Sequence, residues 1–193
     1  MSSFLLQPSN KLTMHFQPYS TIQYSITARD QMLTMPKAMT RLMNYVLTFG
    51  KTDVAANGIS GKPVADFYVS PNATIRYFGM LGSERFPELD IQGDSWSEEM
   101  YMRTMAALGI SGSSAHSCAV IPAQYKDDTF FYIEDLESLP TAHASGKSTM
   151  NSSLILHLFG LGTNSTDLPT HAYVLTQHDA YLSISSGGVE LAE

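Results

Sequence analysis

The sequence predicts an all-β protein, an antiparallel jelly-roll β-sandwich carrying one or two short helices. Three observations lead there. Apolar and polar residues alternate in run after run, most clearly from Ala172 onward, where Val174, Thr176, His178, Ala180, Leu182 and Ile184 share one face and Tyr173, Leu175, Gln177, Asp179, Tyr181 and Ser183 the other. Glycine, proline, asparagine and serine clusters punctuate these runs, and helical patterns are too few for alternating βαβ units. The tally is about eight to ten strands without a long-period repeat or a linker, and roughly eight strands in two Greek keys make a jelly roll.

In chain order, residues 1–10 form a short polar leader and residues 11–193 a single domain. Lys11–Phe16 and residues 21–27 are the first strands; in the second, Ile22, Tyr24 and Ile26 alternate with hydroxyl and amide side chains. Pro36 can occupy the first turn of a helix over 36–49, with Met39, Leu42, Met43 and Val46 on one side and Gly50 as its stop. The same segment also alternates through Tyr45, Leu47 and Phe49 as a strand would. Residues 51–63 are a loop, and 64–69 with 73–80 form a hairpin-like pair around Ser70-Pro71-Asn72.

The spacing predicts a helix over 96–108: Ser95 and Glu98 stand as a capping box, acids occupy the first turn and Gly109 ends it. Its apolar stripe is Trp96, Met100, Tyr101, Met105 and Leu108, which fits packing against a sheet. After the loop 109–114 come strands over 118–121 and 130–133, then a polar stretch over 134–150. Leu154–Phe159 and the terminal alternating run are neighbouring strands joined by an eleven-residue loop, 160–170, and the terminal run is one long strand or two around a bulge near His178 and Asp179.

At 193 residues the chain is long enough to bury roughly 70% of its unfolded surface, so stability needs no disulfide or metal. The single cysteine, Cys118, excludes an intramolecular disulfide, and the N-terminus lacks the basic and apolar parts of a signal peptide, which favours folding in a reducing interior and makes the three N-x-S/T sequons chance matches. No apolar run approaches the ~20 residues of a membrane span. A net charge of −7 with only 11 basic residues spread along the chain argues against direct, sequence-specific nucleic-acid binding.

No stretch rises to a catalytic motif. Residues 144–149, Ala-Ser-Gly-Lys-Ser-Thr, resemble the tail of a phosphate loop, yet Thr141 stands where the leading glycine belongs. The six histidines include no pair at H-x-H or H-x-x-x-H spacing, so no metal and no cofactor is expected; His157 and His178 can face each other across neighbouring strands as ordinary sheet histidines. Gly58-Ile59-Ser60-Gly61 and Gly109-Ile110-Ser111-Gly112 each fall one residue short of G-x-S-x-G, and Cys118 lies in an apolar run with no basic neighbour. Acid pairs Glu98/Glu99 and Asp127/Asp128 are explained by a helix start and a turn. The chain is therefore not expected to be an enzyme.

Residues 130–140 (Phe-Phe-Tyr-Ile-Glu-Asp-Leu-Glu-Ser-Leu-Pro), the polar loop to Asn151, the strand Leu154–Phe159 and the finish through Ser185-Ser186-Gly187-Gly188-Val189-Glu190 resemble the C-terminal jelly roll of icosahedral virus capsid proteins. The kin are the double-jelly-roll lineage of tailless bacterial viruses, virophages and adenovirus-like particles, with the related single-jelly-roll coats. The likeness covers about the last 65 residues and consists of patterns. It implies a coat protein of the virion, assembled inside the host cell, whose partners are copies of itself and other capsid proteins, with no catalytic residues to carry over. Two departures stand out: a double-jelly-roll subunit needs twice this length, and the helix over 96–108 is an insertion between strands. A cellular ligand-binding β-sandwich of lectin or cupin type is the alternative, and it requires a pocket with converging polar groups.

Overall fold

A computed structural model describes residues 11–51, 65–110, 122–126, 129–137, 146–185 and 187–192. Among the described residues, twelve strands and two helices follow one another as β1 (Lys11–Phe16), β2 (Tyr19–Ser25), β3 (Gln31–Thr34), β4 (Leu42–Lys51), β5 (Ala65–Asp66), β6 (Arg76–Leu81), β7 (Glu84–Ile91), α1 (Trp96–Ala107), α2 (Pro122–Tyr125), β8 (Tyr132–Asp135), β9 (Leu154–Phe159), β10 (His171–His178), β11 (Ala180–Ser185) and β12 (Gly188–Ala192). The leader 1–10, most of the expected loop 51–63, the expected strand 118–121 with Cys118, and Asp127/Asp128 lie outside the described residues.

Setting aside the two-residue β5, the sandwich strands pair in a nested order. β2 pairs β10, β3 pairs β9, β4 pairs β8 and β6 pairs β7, every pair antiparallel. Two further pairings, β10 with β4 and β9 with β6, join these ribbons into sheets of order β2-β10-β4-β8 and β3-β9-β6-β7. First strand with last, second with second-last: this is one long antiparallel ribbon wrapped on itself, the jelly roll that the alternation predicted. The inward faces fill one core, with Tyr45, Leu47 and Phe49 of β4 and Ala172 and Val174 of β10 against Tyr77, Leu154, Leu156 and Leu158 of the facing sheet.

Four expectations are corrected. Segments 64–69 and 73–80 do not form a hairpin: β5 pairs β4 in one sheet, while β6 pairs β9 and β7 in the other. Residues 36–49 are not a helix: residues 36–41 are irregular, and β4 begins at Leu42. Met39, Leu42 and Met43 are buried as the helical reading required, but β4 gains strand partners on both sides, β10 and β8, and its aromatic and β-branched residues suit a pleat. β9 and β10 are not neighbours; the 160–170 loop carries the chain from one sheet to the other, so His157 and His178 do not face each other. Ser95 precedes α1 without a side-chain cap; its carbonyl accepts the Glu99 N–H at 3.1 Å, while the Glu98 carboxylate takes the Ser97 hydroxyl at 3.0 Å.

Helix α1 has a structural task beyond packing. Trp96, Met100 and Met105 are buried, Leu108 is exposed, and the Trp96 indole donates to the Ala73 carbonyl at 3.2 Å. Thr104, fully buried, turns its hydroxyl to the free edge of β8: it accepts the Ile133 N–H at 3.2 Å and donates to the Phe131 carbonyl at 3.3 Å, which the Tyr125 hydroxyl of α2 also reaches at 2.7 Å. The inserted helices thus close a sheet edge that would otherwise offer unpaired backbone groups.

Candidate functional site

The phosphate-loop look-alike is a brace. Lys147 exchanges both backbone hydrogen bonds with Leu42 (2.8 and 2.9 Å), and the Thr149 hydroxyl accepts the Met39 N–H at 2.7 Å. Gly146 has φ +114°, and a Cβ there would come within 2.9 Å of the Leu42 carbonyl oxygen, so the glycine serves a close backbone approach. Lys147 Nζ turns to Glu84 at 2.8 Å. Among the described residues no three His, Cys, Asp or Glu side chains gather as a metal site, and no helix is long and apolar enough to cross a membrane.

Sequence reasoning missed a polar cluster between the sheets. The Tyr45 and Tyr77 hydroxyls share a hydrogen bond, Tyr132 donates to the Glu134 carboxylate, and the Tyr77 and Tyr132 rings meet edge-on at 5.1 Å. Tyr132 and Glu134 are two apart on one strand and so share its inner face, the one signal the sequence carried. Burial raises the pKa of all three tyrosines well above its ordinary value. Burial also pushes Glu134 up, against the opposing pull of the Tyr132 hydroxyl and the Arg103 charge. A raised carboxyl beside phenols has the character of a general acid. The three rings are nevertheless fully enclosed, so no substrate can meet them.

The raised Glu134 pKa has a thermodynamic sign. A carboxyl whose folded pKa exceeds its unfolded value of about 4.3 contributes most below that value and loses its contribution as pH rises through the folded pKa. Glu134→Gln is therefore expected to gain stability relative to wild type as pH climbs from about 4 to 7. Urea melts at several pH values check this; a constant difference between the two proteins would contradict it.

A second buried charge sits where β10 passes into β11. Asp179, 2% exposed, holds Arg41 Nη1 at 2.6 Å and His15 Nε2 at 3.0 Å, and Arg41 also reaches Glu137 at 3.5 Å. The expected bulge is found here: pairing with β4 slips between Gln177 and His178. His178, buried next to it, contacts Lys37 Nζ at 3.2 Å. The cluster fastens the strands beyond the sandwich to its body.

Two apolar surfaces stand out among the described residues. The outward face of β2-β10-β4 carries a groove of about 520 Å³ lined by Thr21, Val46, Thr48, Tyr173, Leu175, Phe131 and Phe67. Phe67 has φ +69° and is 43% exposed, so its ring stands over the groove on a strained backbone. The lining is almost wholly apolar and lacks the charged or amide groups that a sugar-binding site would converge. Beyond the sandwich, β1, β11 and β12 form a separate three-stranded sheet. Its register sets Leu12 and Met14 opposite Ile184 and Leu182, and these opposite Val189 and Leu191, on one apolar face; Lys11, Ser183 and Glu190 line the other.

No protein-family profile matches the chain, and no curated protein matches it. Among solved structures, PBCV-1 VP54, fitted into a cryo-EM reconstruction of the virophage Sputnik, is similar over 96% of this chain with a TM-score of 0.56 at 8% identity. The chain has the jelly-roll fold of viral capsid proteins. The mavirus major capsid protein is also similar, over 97% of this chain at 10% identity and a TM-score of 0.45. The chain spans about half the length of the VP54 chain, 52% of it, and 43% of the mavirus chain.

Proposed function

We propose that this chain is a structural coat protein that assembles with copies of itself or with sister proteins into an icosahedral viral shell, and that it resides in the virion. The observation that carries this reading is the nested eight-strand jelly roll running through nearly the whole chain, with the fold of capsid proteins. Shell building needs complementary surfaces and no chemistry of its own, and a closed symmetric assembly is built from such surfaces alone. Glu134, whose carboxyl pKa is raised by burial, is 8% exposed and is held by the hydroxyl of the enclosed Tyr132. The acidic balance, −7 overall, fits a coat that encloses a genome without gripping its phosphates.

Negative-stain electron microscopy and sedimentation of the purified protein, from its native source and alone, test the reading. Rings, shells or incorporation into particles are expected. A 21.2 kDa species that never associates and is absent from particles would overturn it and favour the ligand-binding sandwich, with the apolar groove as its site.

A further inference from the structure

The groove on the outward face of β2-β10-β4 is built by register. Thr21, Leu175 and Val46 stand in one row across the three strands, Tyr173 and Thr48 in the row beside it, and Phe67 stands over them. No side chain lining the groove carries a charge. Phe67 reaches its place at φ +69°, and strain of this kind persists where it serves a clamp on a bound group. The lining therefore fits apolar side chains or an apolar ligand.

Of the segments outside the described residues, only 1–10 holds an aromatic side chain, and it holds no ionisable one: Phe4-Leu5-Leu6 is an apolar triplet between serines and Gln7-Pro8. Distance decides whose groove that triplet can fill. Lys11 faces Ser185 and Ser25 faces His171, and the offset is the same on both sides of Pro18, so β1-β2 and β10-β11 make one unslipped ribbon. Thr21 lies ten residues along this ribbon from Lys11, about 33 Å at ~3.3 Å per residue. Phe4 stands seven residues before Lys11 and Leu6 five, so they reach at most about 25 and 18 Å from it. The triplet falls short of the groove of its own copy.

We propose that Phe4-Leu5-Leu6 of one copy docks in this groove of a second copy, beneath Phe67. Two bodies of −7 repel, and this contact is of a kind that avoids the repulsion. Neither the triplet nor the lining bears a charge, and the link through residues 7–10 and the six residues of β1 spans more than the Debye length of about 8–10 Å. Each copy gives one segment and receives one, so the contact closes as a reciprocal pair or a ring. The inference stands apart from the shell reading, since such an exchange holds with or without larger particles.

Sedimentation velocity of the full chain tests it with two variants, Leu5→Glu with Leu6→Glu in the segment and Leu175→Glu in the groove. Wild type is expected to associate and each variant to lose at least about 30-fold in affinity, the effect of losing a central anchor. An equimolar mixture of the two is expected to pair, because one supplies an intact groove and the other an intact segment. Circular dichroism shows whether the groove variant is folded. If it is not, a peptide of residues 1–10 with a benzophenone at the Phe4 ring, added to the segment variant, is expected to crosslink to β10 or Phe67. A wild-type chain that stays monomeric, a segment variant that associates as well as wild type, a mixture of folded variants that does not pair, or crosslinks confined to the third sheet overturn the proposal. A fatty acid that fills the groove and leaves the association unchanged overturns it in favour of a small-molecule site. Particles that form equally well with the segment variant overturn it while leaving the shell reading in place; segment exchange without particles supports it and counts against the shell.

Discussion

Asp179→Ala is expected to destabilise the protein by roughly 3–5 kcal/mol, because it removes one partner of a buried ion pair and leaves the other charge behind. Asp179 is 2% exposed, and the side chain of Arg41, 2.6 Å away, is 16% exposed, so water and the more distant Glu137 at 3.5 Å replace only part of what is lost. A fold of this size has about 5–15 kcal/mol in total, and the change would take a large share of it. Asp179→Asn keeps the volume and one acceptor, and is expected to fall between wild type and alanine. The loss is also local. Asp179 joins Arg41 of the sandwich to His15 of β1, so hydrogen exchange in β1 and β11 should quicken before that of β4 or β9. Urea melts of the two variants, with exchange mass spectrometry, measure both effects; an alanine variant within about 1 kcal/mol of wild type would show the pair to be worth no more than a surface bridge.

The parts of this fold that local pattern governs were readable in the sequence. β1 and β9 fall on the expected residues, and the terminal run breaks at Asp179 as its sequence allowed. β1 and the terminal run alternate, and β9 is a compact apolar run closed by Gly160. What the sequence hid was set by distant partners. β4 satisfied a helical and a strand pattern together, and only its pairing with β10 and β8 decides between them. β3 is four residues long, and β7 carries Pro87 within a charged run; both are edge strands, where proline and charge are tolerated and the pattern fades. β9 and β10 looked like neighbours because sequential strands often are, whereas the wrapped ribbon sends these two to opposite sheets.

The same logic applies to the polar groups. The partners of Asp179 come from residues 15 and 41, and those of Tyr45 from residue 77, separations that no spacing rule covers. The third sheet lies between these cases. Its alternation was visible from Leu182 to Ile184, but its apolar face emerges only when β1 from one end of the chain and β12 from the other are laid beside β11. A surface built from both ends of a chain cannot be seen in any window of it.

Gly160→Ala is the second large effect, and it tests the wrapped ribbon at its tightest crossing. Gly160 ends β9 with φ +74°, donates its N–H to the Asp30 carboxylate at 2.9 Å and accepts the Thr74 N–H at 3.1 Å. A Cβ there would lie 2.2 Å from the Thr74 carbonyl oxygen, so the new methyl meets backbone and not a side chain that can swing away. Two penalties combine: the left-handed conformation costs about 1–2 kcal/mol for a residue with a Cβ, and the forced backbone shift about 1–3 kcal/mol more. The sum, roughly 2–5 kcal/mol, corresponds to a fall in Tm of about 5–15 °C for a chain of this length. Gly93 separates the two. It has φ +84° with nothing within 4 Å of a Cβ, so Gly93→Ala carries the conformational penalty alone and should lower Tm by only about 2–6 °C. Thermal melts of both variants decide the matter: equal losses would mean that the β9 end and the Thr74 backbone are not held in contact, and that the loop from one sheet to the other is free to yield.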